Sequence, residues 1–206
     1  MSSTASSAPT GGLRVALSQL NQVVGDLGGN ESRILEDYQR AVANDANVVV
    51  YPELAITGYP PEDLLLKSAF IRQNIEVLHR IAAATGECAA VIGFVHEVDG
   101  KLFNAAAVCS NGAVRGVYCK RLLPNYAVFD EQRYFVAGPE RVGDQPAGMI
   151  TIAGVSTGVS VCEDIWFGHG PVGAQAAAGA RIMLNINASP YHDGKHVERE
   201  EMLEAR

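Results

Sequence analysis

Two periods of hydrophobic and polar residues alternate along the chain, and the changes between them mark out its elements. LRVALSQLN, from Leu13, reads as a strand. Residues 25–30 supply a polar turn, and Asn30 is placed to cap a helix with Ile34, Leu35, Tyr38 and Val42 at helical spacing. NVVVYPE is a short β-branched run closed by Pro52, the pattern of a strand covered on both faces. It leaves Glu53 at that strand's C-terminal end. Pro60 and Pro61 open a second helix with Leu64, Leu65, Ile71, Ile75, Leu78 and Ile81 on one side, and Gly86 is placed to stop it.

From Cys88 the period becomes two. CAAVIGFVHEV, KLFNAAAVCS and AVRGVYCK are separated by Asp99-Gly100 and Asn111-Gly112, dipeptides that favour type I′ hairpin turns, so a meander is expected with Lys120 ending its third strand. Residues 121–146 have little periodicity, and a stretch of that length holding Tyr126, Phe129, Tyr134 and Phe135 reads as a functional loop. MITIAG and GVSVCED look like paired strands, GPVGAQAAAGA like a small-residue helix, RIMLNINAS like a buried strand and HVEREEMLEAR like the start of a helix. The sum is an α/β fold, a mixed sheet with helices outside. The last helical pattern has no stop signal before Arg206, so the expectation is a piece of a longer protein. No internal repeat is visible.

Composition narrows the class. At 206 residues, 48% apolar and 19% charged, the chain fits one globular domain, residues 13–206, behind a leader, MSSTASSAPTGG, that reads as disordered and lacks the basic and apolar regions of a secretory signal. Sixteen basic against 23 acidic residues give a net charge of −7 and no footprint for nucleic acid. No apolar run is long enough for a membrane span. Cys88, Cys109, Cys119 and Cys162 have no CxxC spacing, and three sit among small or apolar residues, as reduced thiols in a cytoplasmic protein do. The glycosylation matches at Asn30 and Asn187 are therefore read as chance.

Three segments carry chemistry: VVVYPELAITGYPPEDLL with Glu53, GVYCKRLLPNYAVFDEQRYF with Lys120, and TGVSVCEDIWF with Cys162. A carboxylate, an ammonium and a thiol are the base, clamp and nucleophile for attack on an amide carbon. Each has a plainer reading. A cysteine after GVSV is ordinarily a small core residue, but CEDIW switches abruptly to polar, as where a strand ends at a cleft. Glu53 alone would be an exposed strand-end acid and Lys120 a solvated lysine; together with a thiol they explain one another. Other matches are refused. GVSTG runs into another strand and not a helix. His192 and His196 in HDGKH have a glycine between them and no adjacent glutamate, so no metal site is expected, and no GxxxxGK[ST] phosphate loop occurs.

The three segments resemble the nitrilase, or carbon-nitrogen hydrolase, superfamily, whose members use a Glu-Lys-Cys triad in this chain order. YPELAITGYPPEDLLLKSAF, KRLLPNYAVFDEQRYF, CEDIW and NINASPYHDGKH more closely resemble the glutamine amidotransferase domain of bacterial glutamine-dependent NAD synthetases, over about residues 13–206. The resemblance implies a four-layer αββα sandwich with Glu53 as proton acceptor, Cys162 as nucleophile and Lys120 as stabiliser of the tetrahedral intermediate. It implies that Glu131 supports the lysine and that Tyr126, Ser189 and Lys195 hold glutamine. Charge agrees, since Lys195 opposes an α-carboxylate while Ser189 and Tyr126 can hydrogen-bond a head group, and Phe129 can wall off water. A homo-oligomer is implied as well. The family's second domain uses ATP and Mg to amidate deamido-NAD, and its SGGxDS-type loop is not in this sequence. No cofactor is expected in this piece, and the sandwich is expected to continue past Arg206. A stand-alone amidase sharing the triad, or a silent scaffold, are the rival readings.

Overall fold

The structure is a computed structural model that describes residues 12–206; residues 1–11, nearly all of the expected leader, lie outside the described residues. The order of elements is β1 (Val15–Leu17), α1 (Leu27–Ala43), β2 (Val48–Val50), α2 (Ser68–Ala83), β3 (Ala89–Val98), β4 (Lys101–Ser110), β5 (Ala113–Cys119), β6 (Arg141–Val142), β7 (Gln145–Pro146), β8 (Met149–Ile152), β9 (Val155–Val161), α3 (Pro171–Ala177), β10 (Ile182–Ile186) and α4 (Lys195–Glu204). One sheet runs β1-β2-β3-β4-β5, parallel as far as β3 and antiparallel beyond it. The second runs β10-β9-β8, with β10 parallel and β8 antiparallel to β9.

The period of two sorts the first sheet's side chains onto two cores. Val49, Ala90, Ile92, Ala105 and Ala107 face Ile34, Tyr38, Val77, Leu78 and Ile81 of α1 and α2. Val48, Val50, Ala89, Val91, Ala106 and Val108 face Val159, Val161, Leu184 and Ile186 of the second sheet. Burying a valine or leucine fully is worth about 1.5–3 kcal/mol, so even the three-residue β2, buried throughout, is firmly held. α3 covers the outer face of β9, where the buried Gln175 Nε2 donates to Ala147 O at 2.8 Å and Val159 O at 2.9 Å. The layers are helix, sheet, sheet, helix, as expected. Among the described residues no helix is long and apolar enough to cross a membrane.

Several local expectations are corrected. The cap of α1 is Asp26, which accepts from Gly29 N at 2.9 Å. Asn30 lies inside the helix, fully buried, bonding Val23 N, Val23 O and Ile56 O at 2.8–3.0 Å. It is polar because it ties two loops together, not because it caps. No continuous helix starts at Pro60-Pro61: Glu62 at φ +45° and Lys67 at φ −98°, ψ 105° lie outside right-handed helical space, so Glu62–Leu66 makes a separate 3₁₀ turn before α2. α2 ends at Ala83, and Gly86 instead donates its N–H to the Tyr38 hydroxyl at 2.9 Å. β1 is shorter than LRVALSQLN because β2 offers it only three partners. The stretch 121–146 holds a 3₁₀ turn, Glu131–Arg133, and the β6–β7 ribbon. The hairpins match the dipeptides, with Asp99 and Gly100 at φ +50° and +72° and Asn111 and Gly112 at +47° and +75°.

Candidate active site

Between the sheets, the inward-facing positions turn from apolar to polar at one end. On β4 the series Val108, Ala106 continues to Asn104, and on β5 Tyr118 is followed by Lys120, one residue past the strand. The chain leaving β2 brings Glu53 to the same place, and Gly93 on β3 makes room for it. A Cβ there would lie 2.3 Å from both Pro52 O and Leu54 N. From the second sheet, Cys162 follows β9 at φ +46°, a left-handed conformation that turns the chain sharply into the 3₁₀ turn Cys162–Ile165.

Glu53, Lys120 and Glu131 form one buried cluster. Lys120 Nζ donates to Glu53 Oε1 at 2.7 Å and Glu131 Oε1 at 2.8 Å, and the lysine is fully buried. Asn104 Nδ2 donates to Glu53 Oε1 at 2.7 Å and Glu131 Oε2 at 3.4 Å. Ala188 N donates to Glu53 Oε2 at 3.0 Å, and the Tyr59 hydroxyl reaches Glu131 Oε1 at 3.3 Å. Glu53 is thus gripped by three short donors, whereas two of the three bonds to Glu131 are long.

Electrostatics follow from that burial. Desolvation would push the Lys120 ammonium down, but the neighbouring carboxylates, Glu53 first and then Glu131, overturn it and raise its pKa, holding the proton. Burial raises Glu131 to about 7, against the pull of Lys120. Cys162 is pushed up to about 12, by burial first and then by facing Glu53, while Lys120 and Ser189 act in the opposite direction. The resting sulfur is therefore a thiol that needs a base.

Cys162 opens onto a cavity of about 320 Å³ lined also by Tyr126, Phe129, Glu163, Trp166, Ser189 and Lys195. Ser189 Oγ lies 3.2 Å from the Cys162 sulfur. The Tyr126 hydroxyl donates to both oxygens of Glu163, at 2.9 and 3.1 Å, and Phe129 meets the Tyr126 ring edge-on at 5.6 Å. Lys195, the first residue of α4, rests over the Trp166 ring at 4.5 Å and pairs with Glu198 at 2.8 Å. All the residues singled out from sequence thus fall either in the buried cluster or on this cavity. Missed were Glu163, Asn104 and Tyr59. The acid directly after the cysteine in CED is a signal for Glu163, while Asn104 in KLFNAAAVCS and Tyr59 have none.

The carbon-nitrogen hydrolase profile matches residues 14–204. The chain is 45% identical over 196 residues to a glutamine-dependent NAD(+) synthetase of Xanthomonas campestris pv. campestris, covering 94% of this chain and 34% of that protein. It is 41% identical to the protein of that name from Thermotoga maritima, covering 93% of this chain and 32% of the relative. The chain therefore spans about a third of the length of these curated relatives. Among solved structures, the glutamine-dependent NAD+ synthetase of Acinetobacter baumannii in complex with ADP superposes with a TM-score of 0.85 at 34% identity, covering 94% of this chain and 35% of that one. An amidase from Nesterenkonia sp. superposes at 0.75 with 26% identity, covering 90% and 68%.

Proposed function

The chain belongs to the carbon-nitrogen hydrolase family, and from that premise we propose that it hydrolyses the side-chain amide of free glutamine to glutamate and ammonia through a thioester on Cys162. The observation that carries the choice of glutamine is the cavity wall. Glu163 and Lys195 put opposite charges in one pocket with the thiol, a match for a zwitterionic head group carried at a fixed distance from an amide. A simple amide would need neither charge.

Glu53 takes the thiol proton as the sulfur attacks the amide carbon, and the resulting oxyanion is held by the Lys120 ammonium and the N–H of Glu163. Losing one such donor typically costs about 2.7–4 kcal/mol. Glu53 returns its proton to the departing nitrogen, so ammonia leaves and the γ-glutamyl thioester remains. Water then gives a proton to Glu53 and its oxygen to the acyl carbon, the C–S bond breaks, and the proton goes back to sulfur. Glu131 and Asn104 keep Lys120 and Glu53 in register. Tyr126 and Ser189 border the head group, and Phe129 helps to keep water from the amide.

The relatives' names give NAD synthesis as the destination of the ammonia, and the family resemblance extends the reading further. The ammonia serves ATP-dependent amidation of deamido-NAD to NAD in a synthetase domain outside this sequence, which would also hold Mg and ATP, and the whole protein works as a cytoplasmic homo-oligomer. The similarity to an amidase favours a second reading, hydrolysis of another small amide. Glutamate and ammonia released from glutamine, and abolished in Cys162→Ala with the fold intact, support the proposal. Turnover retained in that variant, or turnover of acetamide but not glutamine, contradicts it.

A further inference from the structure

Lys120 and Cys162 follow strands of different sheets, β5 and β9, and the chain between them runs through a long loop with mostly short elements. Their spacing across the sandwich must be set by something other than strand pairing. Asp164, fully buried two residues after Cys162, does this with both oxygens. Oδ1 accepts from Arg121 N at 3.1 Å and Leu122 N at 2.9 Å, the two peptide groups that follow Lys120. Oδ2 accepts from Val161 N at 3.1 Å, just before Cys162, and from the Tyr118 hydroxyl at 2.7 Å, two residues before Lys120. The carboxylate thereby grips the chain on both sides of the lysine and on the near side of the cysteine.

We propose that Asp164 is a positioning residue that fixes the Lys120 ammonium relative to the Cys162 thiol across the two sheets. All four of its bonds are taken by the protein, which leaves it a brace and not a proton carrier. A buried carboxylate is also a poor device for stability alone, since a well-packed apolar residue is often as good or better there. Burial raises the Asp164 pKa against the pull of its donors, so the interior tolerates this charge only because the donors converge on it. The inference rests on the reading above in one respect, that Lys120 and Cys162 act together.

The test is Asp164→Asn in the full-length protein, whose amide nitrogen would face N–H groups on one side and break the grip there. The expected result is a fall in kcat for glutamine of about 100-fold, the scale of a misplacement near 1 Å, with KM within about threefold of wild type well below the melting temperature. Cys162 alkylation by iodoacetamide should slow in parallel. A folded variant with unchanged kcat and alkylation, a loss confined to KM, or a lowered melting temperature without slower chemistry overturns the proposal. Should the variant not fold, Tyr118→Phe decides. It removes one of the four bonds, so kcat should fall about three- to tenfold with KM unchanged, and an unchanged kcat overturns the brace. Failure of the glutaminase reading would show separately, as wild-type protein without glutamine turnover.

Discussion

Glu131 keeps its proton further into the neutral range than an ordinary carboxylate because the interior disfavours its charge, even with Lys120 at 2.8 Å. A raised carboxyl stabilises the fold fully below its ordinary range near 4.5, and that contribution is lost as pH rises through about 7. The stability of wild type relative to Glu131→Gln should therefore decline between about pH 4.5 and 7 and level off above. Urea midpoints across that window read it directly, and a constant difference would show that Glu131 titrates like a surface acid. Glu53, Lys120 and Cys162 were legible in sequence because each stands where an apolar strand pattern turns polar. Glu163 and Asn104 were not assigned, for opposite reasons. Glu163 is masked by the nucleophile beside it, whose position at a polar strand end already accounts for a neighbouring acid, and Asn104 is one polar letter in an apolar strand whose inward face becomes polar only when the second sheet closes over it.

At the scale of elements, strand-and-turn chemistry was easier to read than helix ends. Asp99-Gly100 and Asn111-Gly112 fix their turns by local φ values, whereas helix starts depend on which polar residue finds a free N–H. Asp26 and Asn30 look alike as caps in sequence, but they do different work. Asp26→Ala should cost about 1 kcal/mol, a lost exposed cap. Asn30→Ala should cost more, since it leaves the buried Ile56 O unpaired, a penalty of about 1–3 kcal/mol, and also removes the bonds to Val23 N and Val23 O. Equal losses in denaturant unfolding would contradict this placement. Gly93 shows what sequence could not: a glycine in a strand core reads as a weakness until Pro52 and Leu54 are seen lying against it.

For the whole molecule, the site exists only at the junction of the layers. Glu53, Asn104 and Lys120 come from the first sheet and the loops leaving it, while Cys162 and Ser189 come from segments leaving the second. Alternating periods made the α/β class legible, and the polar ends of several strands pointed to a shared pocket. That Glu163 and Lys195 line one cavity is a long-range packing outcome that no local pattern encodes. The most direct test of the central claim is peptide mapping of the full-length protein after treatment with a diazo-ketone analogue of glutamine, which alkylates a thiol only where the glutamine head group is bound beside it. The account predicts a single adduct on Cys162, blocked by excess glutamine and lost in Glu163→Gln with Lys195→Ala. Folded protein with no adduct at Cys162, or with labelling indifferent to glutamine, would contradict it.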